Sequence, residues 1–252
     1  MYGPFDLTGR CAVVTGGNGG IGYGMAEALI ASGARVAIWG SNPEKTANAK
    51  ASLGANAVAF VCDVSNEEAV EKAFADSVAA LGRVDACFAN AGVSSKPTPL
   101  VEMTLAEFRR VQQVNVEGVF LTFRAAARHM TAHGKGGALV ATASTAAIEG
   151  AARNSHYGAS KGAVTSLVRA LAVELARHRI RVNSILPGWI ETEMTARAFG
   201  DERFGKAVLP RIPARRWGNW NDFGGIAVYL ASDASAYHTG EQFVIDGGYT
   251  KF

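Results

Sequence analysis

Residues 11–22 read C-A-V-V-T-G-G-N-G-G-I-G. The first five are apolar or β-branched and end at a glycine cluster, the pattern of a short buried strand. Residues 21–32 then carry helical periodicity and stop at Gly33, a suitable C-cap. Residues without side chains let backbone approach a pyrophosphate, whose charge a helix N-terminus stabilises. Gly17, Gly19 and Gly22 satisfy G-x-G-x-x-G, and Gly16, Gly20 and Gly22 satisfy T-G-x-x-x-G-x-G after Thr15. A tight turn would explain either match alone. Placed between a strand and a helix, the match favours dinucleotide binding.

The same alternation continues outward. Strands are expected at residues 35–39, 58–62, 84–89, 137–143, 181–186 and 242–245. Helices are expected at 43–53, 66–81, 104–133, from Tyr157 to about 177, and at 221–231. The helix from Thr104 has a capping pair in Thr104 and Glu107. Strands alternating with helices imply an α/β fold: a Rossmann-like, doubly wound parallel sheet of about seven strands with helices on both faces. Residues 187–217, with three prolines and several charges, read as a mobile flap rather than a linker, because strand and helix resume after them. With no repeat, low-complexity tract or boundary, residues 1–252 are expected to form a single domain.

Hydrophobic residues make up 48% of the 252 and charged residues 19%, enough to bury a large core. The net charge of +3 is dispersed, which gives no support to a nucleic-acid or membrane-surface partner. Cys11, Cys62 and Cys87 lie in apolar runs without C-x-x-C spacing. They fit a reducing cytoplasm better than a disulfide framework, and no metal site is expected. The N-terminus lacks the regions of a signal peptide, and no apolar run approaches the ~18 residues of a membrane span.

Tyr157 and Lys161 stand four apart within residues 144–161, S-T-A-A-I-E-G-A-A-R-N-S-H-Y-G-A-S-K. On a helix such a pair shares one face. A phenol titrates near pH ~10, and an adjacent ammonium would lower that value, fitting Tyr157 for acid–base work on an alcohol or ketone. The bare Y-x-x-x-K pattern is equally that of a helix with a packed Tyr and a solvated Lys. His156, about 100° away on the helix, reads as a packing or interface residue.

Taken together, these motifs resemble the short-chain dehydrogenase/reductase family of the single-domain type, with the likeness running from about Leu7 to Tyr249. It rests on Thr15, Gly16, Gly20 and Gly22; on Asp63 and Val64 after the third strand; and on Asn90, Ala91 and Gly92 after the fourth. Asn115 in V-N-V, Ser144, Tyr157, Lys161, Pro187 and Gly188 complete the match. Ala89 stands where the family often has a second Asn. The resemblance implies a catalytic tetrad of Asn115, Ser144, Tyr157 and Lys161. In it Ser144 holds the substrate oxygen and Tyr157 exchanges its proton. Lys161 tunes the tyrosine and holds ribose hydroxyls, and Asn115 holds a water linking Lys161 to solvent. It further implies that Asn18, Ile21, Gly40, Ser41, Asn42 and Ile190 border the cofactor and that Thr192 holds the nicotinamide carboxamide.

In NAD binders a carboxylate near the end of the second strand accepts from the adenosine ribose and repels the phosphate of NADP. Gly40 occupies that position here. Ser41 and Asn42 could donate to the phosphate and Lys45 could reach it, although Gly19 replaces a basic residue of many NADP-linked relatives. The balance favours NADP(H) over NAD(H). The expected reaction interconverts a secondary alcohol and a ketone. A 3-oxoacyl-thioester reductase, or a catalytically silent nucleotide-binding regulator, is the alternative. Trp189, Met194, Phe199, Phe204 and Leu209 are expected to cover the substrate, with Val93, Ser94 and Ser95 as a second wall. Arg197, Arg203, Arg211, Arg215 and Arg216 read as solvated or subunit-facing surface rather than an anion site. The C-terminal stretch 240–249 resembles that of relatives that assemble as homotetramers.

Overall fold

The computed structural model describes residues 3–251. Its seven strands are β1 (Cys11–Thr15), β2 (Arg35–Gly40), β3 (Ala57–Val61), β4 (Ala86–Ala89), β5 (Gly137–Thr142), β6 (Ile180–Pro187) and β7 (Gln242–Ile245). They form one sheet in the order β3-β2-β1-β4-β5-β6-β7, every pairing parallel. The strand order reverses between β1 and β4, so a crevice opens at their carboxyl ends, where α/β sheets bind ligands.

Among the described residues nine α-helices connect the strands: α1 (Gly20–Ala31), α2 (Pro43–Leu53), α3 (Glu67–Leu81), α4 (Leu105–Gln112), α5 (Gly118–His133), α6 (Ser155–Leu175), α7 (Ala196–Phe199), α8 (Glu202–Val208) and α9 (Gly224–Ala231). Side chains alternate along each strand, so the sheet builds two apolar layers. On one face Val14 and Ile38 pack with Met25 and Leu29 of α1 and Ala227 and Leu230 of α9. On the other, Val13 and Cys87 pack with Phe74 of α3, Phe123 of α5 and Val164 of α6.

The expected 104–133 helix is present but interrupted. Thr104 caps α4 by accepting from the Glu107 N–H at 3.2 Å. The Glu107 carboxylate turns instead to Arg110, at 2.8 Å, leaving the capping box half made. Between α4 and α5 one π-helical turn, Gln113–Glu117, carries Asn115. Such turns insert a residue and re-aim side chains, often at functional sites.

The segment after β6 is more regular than expected. Asp201 caps α8 by accepting from the Arg203 N–H at 2.9 Å. Phe199 stacks on Trp217 with ring centroids 4.3 Å apart, and Trp189 meets Phe204 edge-on at 4.9 Å. Val208, Ile212 and Tyr249 complete this satellite core.

Candidate functional site

Gly16 and Gly20 take left-handed φ values of +64° and +52°, which turn the chain from β1 into α1. A Cβ on Gly22 would lie 2.3 Å from the Gly16 carbonyl oxygen and 2.5 Å from Asn90 Nδ2, so only glycine closes this turn. Asn90 ties three strand ends together. Its Nδ2 donates to the Thr15 carbonyl at 3.1 Å, and its Oδ1 accepts from Thr142 Oγ1 at 3.0 Å. The Asn90 and Ala91 N–H groups both donate to Thr15 Oγ1.

One cleft runs from this turn across the ends of β4, β5 and β6. It is lined by Gly16, Asn18, Gly20 and Ile21 of the turn and by Asn90, Ala91 and Gly92 after β4. Ser144, Tyr157 and Lys161 line it beyond β5, and Pro187, Gly188, Ile190 and Thr192 beyond β6. The sequence reading missed Thr142, Glu193 and Thr195, which also line it. Only their adjacency to Ser144 and Thr192 in the chain could have signalled them.

Other expected residues sit beside the cleft. Asn115 is fully buried behind it: its Oδ1 accepts from the Val93 N–H at 2.8 Å, and its Nδ2 donates to Ser160 Oγ at 3.0 Å. Asn42 lines an adjoining depression shared with Asn18 and Lys45. Gly40 is buried, Ser41 is exposed, and Asp63 spends one carboxylate oxygen on the N–H and hydroxyl of Ser65. Val64 packs against Gly118 of α5.

Gly40 has a steric reason to be glycine. A Cβ there would fall 2.1 Å from Asn18 Nδ2 and 2.5 Å from Thr46 Oγ1. Asn18 itself donates to Thr46 at 3.0 Å and so fills the space a carboxylate would need.

At the cleft floor, Ser144 caps a 3-10 turn, Thr145–Ala147, by accepting from the Ala146 N–H at 3.1 Å. Lys161, 3% exposed, donates to the Thr142 carbonyl at 2.8 Å. Its ammonium lies 5.5 Å from the centre of the Tyr157 ring. Burial pushes Lys161 down to about 8. Burial also raises the Tyr157 phenol, while a hydrogen bond with Ser144 pulls it the other way. Desolvation outweighs the Ser144 hydrogen bond, so the net direction is upward, against the lowering expected beside Lys161. The arrangement places two adjacent hydroxyls in the cleft, each with a proton to donate at neutral pH.

Two further expectations change. Of the five apolar residues expected over the substrate only Met194 lines the cleft, because Trp189, Phe199, Phe204 and Leu209 pack on one another and on Trp217. Val93, Ser94 and Ser95, expected as the second wall, do not line the cleft either; Ser95 Oγ lies against Nε2 of His156, which is fully buried as a packing residue would be. The five arginines are exposed and none lines the cleft, and Arg216 pairs with Asp222 at 2.7 Å. Among the described residues there is no cluster of three or more metal-ligating side chains. The three cysteines are buried and free.

The family model for enoyl-(acyl carrier protein) reductase matches residues 16–250. A 2,5-dichloro-2,5-cyclohexadiene-1,4-diol dehydrogenase of Sphingobium indicum is 37% identical over 97% of this chain and 98% of its own. The crystal structure of a short-chain type dehydrogenase/reductase from Mycobacterium marinum superposes with a TM-score of 0.93, at 40% identity and 98% coverage of both chains. The chain belongs to the short-chain dehydrogenase/reductase family. It is thus an NAD(P)-dependent oxidoreductase of alcohols and ketones. Another family member, the gluconate 5-dehydrogenase from Burkholderia cenocepacia J2315 in complex with NADP and tartrate, has a TM-score of 0.94. It is 33% identical, covering 99% of this chain and 98% of that one.

Proposed function

We propose that this short-chain dehydrogenase/reductase uses NADP(H) in preference to NAD(H) and interconverts a secondary alcohol and a ketone on a small hydroxylated substrate. The observation that carries the reading is the convergence of Ser144, Tyr157 and buried Lys161 on the cleft that begins at the glycine turn. The side-chain-free turn fits a dinucleotide, which Gly16, Asn18, Gly20, Ile21, Asn90, Ala91, Gly92 and the Pro187–Thr192 rim would hold. Gly22, Gly40, Ser41, Asn42, Asp63 and Val64 would shape the adenosine end. When bound, the nicotinamide supplies or accepts the hydride.

The chain's own residues then handle the oxygen and the proton. Ser144 donates to the substrate oxygen and keeps it beside Tyr157, which protonates the developing alkoxide in reduction. Oxidation reverses the transfer. Lys161 spends one of its three N–H donors on Thr142, leaving two for ribose hydroxyls. Asn115, fixed to the loop after β4, completes the tetrad. Two hydroxyls aimed at one oxygen suit a carbonyl better than a carbon–carbon double bond, which favours the alcohol–ketone reading over the chemistry in the family model's description. The diol and gluconate dehydrogenases among the relatives support a hydroxylated substrate over a 3-oxoacyl thioester.

The chain is read as a single domain, with residues 187–217 covering the substrate. A homotetramer is supported by exposed Leu105, Phe120 and Val173 on α4, α5 and α6. A cytoplasmic setting is supported by the free, buried cysteines. No helix of the described residues is long and apolar enough to cross a membrane. The test is a panel of sugar acids, polyols, cyclic diols and a 3-oxoacyl thioester, each assayed with both dinucleotides. NADP-linked turnover of a hydroxylated substrate is the expected result, and turnover of the thioester alone would overturn the assignment.

A further inference from the structure

Gly19 stands where many NADP-linked relatives carry a basic residue, yet the space above it is filled. A Cβ on Gly19 would lie 2.8 Å from both Cε and Nζ of Lys45. Lys45, from the first turn of α2, thus brings its ammonium over the glycine turn, to where a basic side chain at 19 would begin. From the opposite rim, Thr192 reaches the same turn, its Cγ2 3.2 Å from where a Cβ on Gly20 would be. The next residue, Glu193, closes the span: its Oε2 is 2.7 Å from Lys45 Nζ. Lys45 and Glu193 both line the cofactor cleft, although they are 148 residues apart in the chain.

We propose that Glu193 is an internal competitor for the cofactor's 2'-phosphate, the two sharing Lys45 as their cation. The inference rests on the NADP reading above and adds to it a link between cofactor choice and the segment after β6. A phosphate on Lys45 would meet the Glu193 carboxylate at close range, and like charges there repel. Seating the phosphate therefore displaces Glu193 and unties residues 192–195 from α2. The ribose hydroxyl of NAD(H) makes no such demand, so Glu193 weakens NADP(H) binding alone. Glu193 is 82% exposed and Lys45 36%, so the effect is that of a screened surface pair and shrinks with added salt.

The experiment measures dissociation constants of NADPH and NADH, by nicotinamide fluorescence at low salt, for the wild type, Glu193→Gln, Lys45→Met and the double variant. Glu193→Gln is expected to tighten NADPH about three- to fivefold and to leave NADH within about twofold. Lys45→Met is expected to weaken NADPH about tenfold, as loss of a charge-assisted bond does, and Glu193→Gln should add nothing in that background. A Glu193→Gln protein in which NADPH is unchanged or weakened, or in which both dinucleotides shift together, overturns the proposal. The same holds if Glu193→Gln keeps its full effect without Lys45. A wild type that holds NADH as tightly as NADPH overturns the NADP reading itself, a different failure visible before any variant is made.

Discussion

The Lys161 ammonium donates a 2.8 Å hydrogen bond to the Thr142 carbonyl, its one side-chain hydrogen bond among the described residues. The side chain is 3% exposed and its pKa is pushed down from 10.5 to about 8. Below pH 8 the folded and unfolded chains both carry the charge, and the folded state bears the full burial penalty. Between about 8 and 10.5 the unfolded chain binds the extra proton, so stability rises with pH. Denaturant melts of the wild type and Lys161→Met across this window should show the wild type gaining on the variant by about 1.4 kcal/mol per pH unit. A difference that stays flat would place the ammonium in a solvated site.

Tyr157, half-buried at the cleft floor, titrates above its ordinary value because the surrounding protein desolvates its phenol. Its proton is therefore in place through the neutral range, as reduction requires, while oxidation needs the phenolate. The kcat/KM for ketone reduction should stay level from pH 6 to 8, and that for alcohol oxidation should climb about tenfold per pH unit over the same range. Parallel pH profiles in the two directions would assign the proton transfer to another group.

Gly40→Asp would install the carboxylate of an NAD binder but drive its Cβ into Asn18. Overpacking of this kind costs about 1–3 kcal/mol, so the single variant should lose stability and bind both dinucleotides poorly. Asn18→Gly should relieve the Asn18 part of the clash and leave the 2.5 Å approach to Thr46 Oγ1, giving a coupling of about 1 kcal/mol in a double-mutant cycle read by thermal melts. Additive melts would show that the Gly40 backbone shifts to make room.

Trp217→Ala removes the ring that stacks on Phe199 at 4.3 Å. Because this aromatic group sits beside rather than in the cleft, the variant should raise the substrate KM about tenfold while the NADPH dissociation constant stays within about twofold. Equal losses in both would mean that the segment after β6 supports the dinucleotide instead.

The sheet was legible because its signals are local. The β-branched run ending at Thr15, the glycine turn and the helical spacing after Ile21 each specify their element without help from distant residues. The proposed tetrad is readable only as a set, through order and spacing matched to a family. The unreadable parts depend on contacts far apart in sequence. Glu193 reaches the cleft through Lys45, and Asn18 blocks position 40 only because β2 brings Gly40 beneath the glycine turn. The aromatics after β6 read as a substrate cover from composition, yet their partner Trp217 draws them into a separate core. The direction of the Tyr157 shift needed the burial of the pair, which residue type does not encode.

In the proposed reaction Tyr157 moves the proton while the rest of the cleft holds the dinucleotide. This role is tested most directly by comparing the wild type with Tyr157→Phe in NADP-linked oxidation of the best hydroxylated substrate, with NADPH binding followed in both. Tyr157→Phe is expected to bind NADPH within about threefold of the wild type and to turn over about 10²–10⁴ times more slowly. Turnover at the wild-type rate, with NADPH bound, would contradict that role.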